Sequence, residues 1–290
     1  MKKDFPIISA FGTIGAIIIN LFIGYLGYSG SIVAFQIGAV SFLLNGIYIF
    51  TLPKTPPLAK GRPISARDWF FIDAFKLLKN RNYLVFLICT VFLFTPLTAY
   101  ASYAPILLEA VGFKKVNSVL SIGQMCELVF MLLLPLFVSK LRYKYVFLIG
   151  ILAMVARCIL FAVGAPEAIR WSMYLAIGLH GFCWNFFFVA GFMYTDENAD
   201  PKIKSQAQGL LMLFSQGIGI FLGSMLSSSL FKNLVTSTKT NSLAQWGEFW
   251  TYMGIFTSII ALIFCFLFQK KEKGIKVVEK SNDLIDKNII

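Results

Sequence analysis

Apolar residues in this chain fall into long blocks, not the short alternating runs of a soluble fold. Eight blocks can be delimited by charge clusters and turn residues, at roughly 7–26, 31–52, 83–108, 117–138, 146–164, 171–193, 207–231 and 249–268. A helix crossing a hydrocarbon core of about 30 Å needs about 20 apolar residues, which each block supplies. Only helices and closed barrels satisfy their backbone groups in lipid, and blocks of this length predict helices. Lys2 and Lys3 ahead of the first block imitate a secretory signal. The block, however, exceeds the about 7–15 residues of such a signal, and a second block follows directly after the Gly27-Tyr28-Ser29-Gly30 turn. The expected architecture is an all-α integral membrane protein of about eight transmembrane helices lying in the lipid bilayer.

Composition agrees: 58% of the 290 residues are hydrophobic, 16% aromatic and only 14% charged. The net charge of +12 would point to nucleic acid in a soluble protein, but its distribution gives another explanation. Counting loops alternately, Lys2, Lys3, the 53–82 loop, the 139–145 turn, Lys202, Lys204 and the 269–290 tail fall on one side. That side is basic throughout, whereas the other holds only Lys114, Lys115, Arg170, Lys232 and Lys239. The positive-inside rule therefore places both termini and the long loop in the cytoplasm, and no nucleic-acid partner is expected. The five cysteines lie within the blocks without CxxC spacing, and a single histidine cannot build a histidine-rich metal site. Neither a metal nor a cofactor is expected.

The hydrophilic stretch 53–82 opens with Pro53-Lys54-Thr55-Pro56-Pro57, which terminates the preceding helix. Its second half, Asp68 to Lys79, has apolar and polar residues at helical spacing and predicts a helix along the cytoplasmic interface, anchored by Trp69 and Phe70. This stretch divides the chain two spans from one end and six from the other. Transporters are commonly built from repeated halves, so a lopsided division leads to the expectation that the start of a first half is absent. Ser215, Gly219, Gly223 and Ser227 recur every four residues and predict close helix packing, as do Gly12, Gly15 and Gly24 in the first block. Pro96 and Pro105 predict a kink or an unwound end in the 83–108 helix, a candidate gate or cavity wall.

Chemistry concentrates where charge is most costly. Glu127 and Arg157 lie deep within their blocks, where an ionised side chain costs roughly 2.5–3.5 kcal/mol on lenient insertion scales. Gln124 and Glu127, three residues apart, share a helix face, and an amide beside a carboxyl suits a hydroxylated or heterocyclic ligand. Glu127 is also the candidate proton carrier. Arg157 lies at similar depth on the next, antiparallel span, so an intramembrane ion pair with Glu127 is the structural alternative. His180 and Trp184 share one face of the 171–193 block, with Asn185 about 100° further round. Together they would suit a flat, hydrogen-bonding ligand, with ordinary core packing as the alternative.

Several segments resemble the nucleoside:proton symporter family of the major facilitator superfamily. Phe5 to Gly15 (FPIISAFGTIG) is similar to the FPxxRxxGTxG start of that family's fifth helix. The likeness continues through Leu52 to Pro56, Asp73 to Asn80, Ser121 to Glu127, Ala156 to Ala162, His180 to Phe187 and Ala207 to Gly209. The resemblance implies a proton-driven nucleoside importer in which two six-helix bundles rock around a central substrate. By that alignment residues 1–52 are the last two helices of the amino-terminal bundle, 53–82 a cytoplasmic linker, 83–268 the carboxy-terminal six-helix bundle and 269–290 a basic tail. It also implies substrate contacts at Thr13, Gln124 and Glu127 and along His180 to Asn185, and a bacterial cytoplasmic-membrane location.

The sequence departs from the family pattern at Ser9, where the family has arginine, at Ala16 for an aromatic, at Asn185 for an acid and at Thr98 for a glutamine. The first removes a strong fixed donor set, and the third removes a proton carrier. Only helices five to twelve are represented, so the chain alone is expected to transport poorly, unless a separately encoded amino-terminal segment partners it. Other readings remain open at this level. A symporter for sugars or another polar metabolite would use the same Gln124 and Glu127 pair. A membrane-embedded enzyme would need paired carboxylates or a nucleophile with its base, and the blocks offer only Glu127 and one histidine. An enzyme is therefore not expected.

Overall fold

The computed structural model describes residues 5–28, 31–54, 67, 70–236 and 242–269. Its long helices are α1 (Phe5–Tyr25), α2 (Ile32–Ile49), α3 (Arg81–Ala110), α4 (Val116–Lys140), α5 (Tyr143–Gly164), α6 (Arg170–Asn198), α7 (Lys204–Leu234) and α8 (Leu243–Leu267). Seven of them, α2 to α8, are long and apolar enough to cross a membrane, and α1 is a further apolar helix. Many outward side chains are large and apolar, such as Phe42, Phe50, Leu136 and Phe266. That is the pattern of helices whose solvent is lipid.

Helices α3 to α8 form one bundle. Helix α5 packs most extensively on α8, and α7 on α3, while α1 joins the bundle through α4; α2 has no extensive packing partner among the described residues. The bundle core divides into two clusters. One holds Tyr83, Phe86, Phe147, Phe187, Tyr194 and Phe264, and the other Tyr100, Phe161, Ile177, Trp246, Phe249 and Trp250. Along α5 the division falls between Met154 and Cys158, and along α6 between Ile177 and Cys183. Arg157 and His180 thus occupy a polar layer between two apolar ends.

Small residues set the helix spacing. A Cβ placed on Gly223 would lie 2.8 Å from the Phe94 carbonyl and 3.0 Å from the Thr95 nitrogen, and one on Gly219 would meet the Phe94 ring. Ser215 and Ser227 on the same stripe are buried, so the four-residue repeat is the α7 contact with α3. In α1 the expectation needs correcting: Gly24 abuts Ser118 of α4, but Gly12 and Gly15 have nothing near them among the described residues. A helix with one packing partner buries one stripe, here marked by Ala10, Ile17 and Ile23, and these two glycines lie off it.

Helix α3 runs unbroken through Pro96 and Pro105, so the predicted unwinding does not occur. Packing by α7 and α8 holds the helix where proline withholds a backbone donor. Its start is capped by Asn80, whose side-chain oxygen accepts from the Asn82 and Tyr83 amides. Asn82 in turn exchanges two hydrogen bonds with the Gln269 backbone, tying α3 to the end of α8. Lys144 donates to the Cys265 and Phe268 carbonyls at 2.8 and 2.7 Å, placing a cation on the last turn of α8.

Ahead of α3, the predicted interfacial helix is replaced by turns and a short 3₁₀ helix, Ala74–Lys79, that buries Ala74 and Leu77. Phe71 takes a left-handed backbone (φ 54°), and its ring covers Gly209, where a Cβ would lie 2.8 Å from Cε1. This detour breaks the regular spacing that the sequence pattern implied. Phe70 is exposed, while Trp69, the other proposed anchor, lies outside the described residues. Lys76 bonds Asp73 at 2.8 Å with Arg67 at 3.3 Å, and together they hold that carboxyl below the usual carboxylate range.

Candidate functional site

The site begins with a crossing of two helices that only glycine permits. A Cβ on Gly181 of α6 would fall 2.6 Å from the Cys126 carbonyl oxygen and 2.8 Å from the Glu127 nitrogen, and one on Gly123 of α4 would meet the Ile177 oxygen and the His180 Cβ. The two backbones therefore touch next to the acidic residue. Helix α6 is also irregular here, with a turn at Leu179 and a π-helical segment over Trp184–Val189. Such a bulge changes the direction of successive side chains and is common at functional sites.

The Glu127 carboxylate stands at the meeting of three helices. From α1, Thr13 Oγ1 donates to Oε1 at 3.4 Å; from α6, His180 Nε2 lies 3.5 Å from Oε2. The Glu127 and His180 side chains are 13% and 16% exposed, so the pair is shielded but reachable. Gln124, one turn earlier, accepts at Oε1 from Asn20 Nδ2 at 3.1 Å, and Asn20 also donates to the Ala16 carbonyl. With its oxygen engaged by Asn20, Gln124 retains its NH₂ donors for a ligand.

Behind this face lies the buried half of the layer. Arg157, 1% exposed, approaches His180 Nδ1 with Nη1 at 3.2 Å. Its guanidinium sits 4.2 Å from the Tyr100 ring centroid, and Tyr100 stacks on His180 with centroids 5.2 Å apart. The direct ion pair considered between Glu127 and Arg157 is not formed: His180 stands between them. The reason is geometric, since the glycine crossing brings α6 against α4 and inserts the imidazole into the space the two charges would have shared.

The other candidates are placed differently. Asn185 is fully buried, and its amide donates to the Glu127 and Gly181 carbonyls at 2.8 and 3.0 Å. It fastens α6 to α4 and does not line the open face. Trp184 is half-buried and borders a separate shallow groove with Phe86, Thr90 and Phe94 of α3 and Ser215 and Gln216 of α7. Sequence reasoning passed over Asn20 and Tyr100. Asn20 had a signal, being an amide seven residues, or two turns, from Thr13 on the same face. Tyr100 had none, standing among many aromatics.

Apolar helices enclosing a shielded acid, with a hydroxyl and an imidazole approaching it from two neighbouring helices, are the form of a multi-pass membrane transporter. A family model of nucleoside H⁺ symporters matches residues 1–273, and the chain belongs to that family. YegT of Escherichia coli (strain K12) is 32% identical over 290 residues, covering 96% of this chain and 68% of that protein. The nucleoside permease NupG of the same organism is 26% identical and covers 92% of this chain and 66% of its own length. A crystal structure of the nucleoside transporter NupG, as its D323A mutant, superposes with a TM-score of 0.79 at 26% identity, over 92% of this chain and 68% of that one. The chain thus spans about two thirds of the length of these relatives.

Proposed function

We propose that this chain takes part in proton-driven nucleoside uptake across the bacterial cytoplasmic membrane, with both termini on the cytoplasmic side, and that Gln124 and Glu127 hold the substrate. The observation that carries the reading is the convergence of Thr13, His180 and the Asn20-ordered Gln124 on the face of one shielded carboxylate. Ribose offers hydroxyl donors to Glu127, and a nucleobase offers carbonyl or ring-nitrogen acceptors to the Gln124 NH₂ group. The only acid at this depth among the described residues is Glu127, which makes it the proton carrier. Thr13, Gln124, Glu127 and His180 are assigned to the ligand, Trp184 to the wall of the adjoining groove, and Asn185 to holding the α4 and α6 crossing.

The test is uptake of radiolabelled uridine and adenosine by cells co-expressing the chain with the amino-terminal helices of a full-length relative, at acidic and neutral pH, with unlabelled nucleosides and free sugars as competitors. Acid-stimulated uptake that nucleosides compete and Glu127→Gln abolishes is the expected result. Competition by free sugars but not nucleosides would replace this reading with that of a sugar symporter.

A further inference from the structure

We propose that Arg157 is a positioning residue for Glu127 that acts through His180, by fixing the imidazole as a neutral ring with its proton on Nε2. Guanidinium has five N–H donors and no acceptor, so the 3.2 Å contact from Arg157 Nη1 requires a lone pair on His180 Nδ1. The remaining ring proton must then lie on Nε2, the nitrogen facing Glu127 Oε2 at 3.5 Å. That separation exceeds an ordinary N–H···O bond, so the proton is aimed at the carboxylate without being locked to it. Tyr100 fixes the arrangement by stacking on the imidazole and receiving the guanidinium on its ring.

A proton added to Nδ1 would set N–H against N–H and place a second positive charge beside a guanidinium that is 1% exposed. Among the described residues, the surrounding elements offer nothing to offset it except Glu127. Helix α3 contributes the Tyr100 phenol, α4 Glu127 and the Cys126 thiol, α5 Arg157 and the Cys158 thiol, and α6 the Cys183 thiol. Among its described side chains, helix α1 contributes the uncharged Thr13 and Asn20. Among the described residues, Arg157 and Glu127 are thus the one basic and one acidic side chain of the layer, separated by a neutral ring. In the proposed cycle the incoming proton converts the Glu127 carboxylate to the carboxyl and leaves from it again, while the His180 proton stays on Nε2 throughout. Arg157 supplies the balancing charge without quenching the carboxylate through a direct pair.

The chain has a single histidine, so ¹⁵N-histidine labelling of the full protein in lipid nanodiscs yields one ring to assign. The expected spectrum at neutral pH is a neutral imidazole protonated at Nε2. A ring protonated at Nδ1, or an imidazolium, overturns the proposal, and this reading needs no variant that might fail to fold. Arg157→Lys should keep the tautomer, because an ammonium also donates, whereas Arg157→Met should release the ring to a mixture of both neutral forms. An unchanged Nε2 tautomer in folded Arg157→Met would show that the arginine does not set it. A functional arm uses His180→Gln, whose oxygen can accept from Arg157 while its NH₂ donates to Glu127, and His180→Phe, which keeps only the stacking on Tyr100. Positioning through His180 requires the pH profile of uptake to be retained by the glutamine and altered by the phenylalanine; the reverse order would leave the imidazole a packing group and defeat the proposal. The functional arm rests on the transport reading of Glu127, but the tautomer does not, so absence of nucleoside uptake with the expected spectrum would count against the substrate alone.

Discussion

Glu127 illustrates how one acidic side chain can be shielded and still reachable. Its two oxygens are approached separately, by a hydroxyl from α1 and an imidazole from α6, leaving acceptor capacity on both for a diol. Replacing it by glutamine keeps the shape but removes proton exchange, so Glu127→Gln should abolish the response of uptake to an imposed proton gradient, as measured in proteoliposomes. Asn20 has a subtler part. Without its donor the Gln124 amide is free to rotate and offer the ligand either end, and Asn20→Ala should weaken nucleoside binding about three- to tenfold. That corresponds to about 1 kcal/mol, the usual net contribution of one hydrogen bond; titration of tryptophan fluorescence with uridine would read it.

Among helices, the α4 and α6 crossing is the feature on which the site depends. Gly181→Ala would drive a methyl group into the Cys126 carbonyl and the Glu127 amide nitrogen, neither of which can move without shifting a helix. The expected cost is on the order of 1–3 kcal/mol, as for overpacking elsewhere, together with a larger distance between His180 and Glu127. A lowered thermal midpoint accompanied by loss of nucleoside affinity would register both effects; an unchanged midpoint would argue that the helices are less tightly apposed than this. Lys144 gives a second prediction at this scale. It holds the last carbonyls of α8, so Lys144→Met should destabilise that end by about 1 kcal/mol, seen as faster hydrogen exchange over the final turn of α8. The glycine repeat of α7 was readable as a packing stripe because periodicity alone defines it. The Gly123 and Gly181 contact was not, because α4 carries a single glycine and the three of α6 form no four-residue repeat, so only the meeting of the two helices singles them out.

For the whole molecule, charge placement predicts topology. Single cysteines introduced in the 139–145 turn should be protected from an impermeant thiol reagent applied outside intact cells, and cysteines near Lys114 or Lys239 should be labelled, with Cys-free background controls. The opposite pattern would invert the orientation and with it the direction in which Glu127 is loaded. The sequence by itself determined that the chain is a bundle of apolar helices, where those helices begin and end to within about six residues, and that Glu127 and Arg157 lie near the middle of theirs. These follow from local properties, namely run length, charge and helical period. Only the tertiary structure decided that Glu127 and Arg157 do not pair, that Asn185 fastens helices instead of facing the cavity, that Trp184 borders a separate groove, and that Asn20 and Tyr100 complete the polar layer. The reason is that helix rotation and crossing distance are set by which small residues meet across an interface, and no single helix carries that information alone.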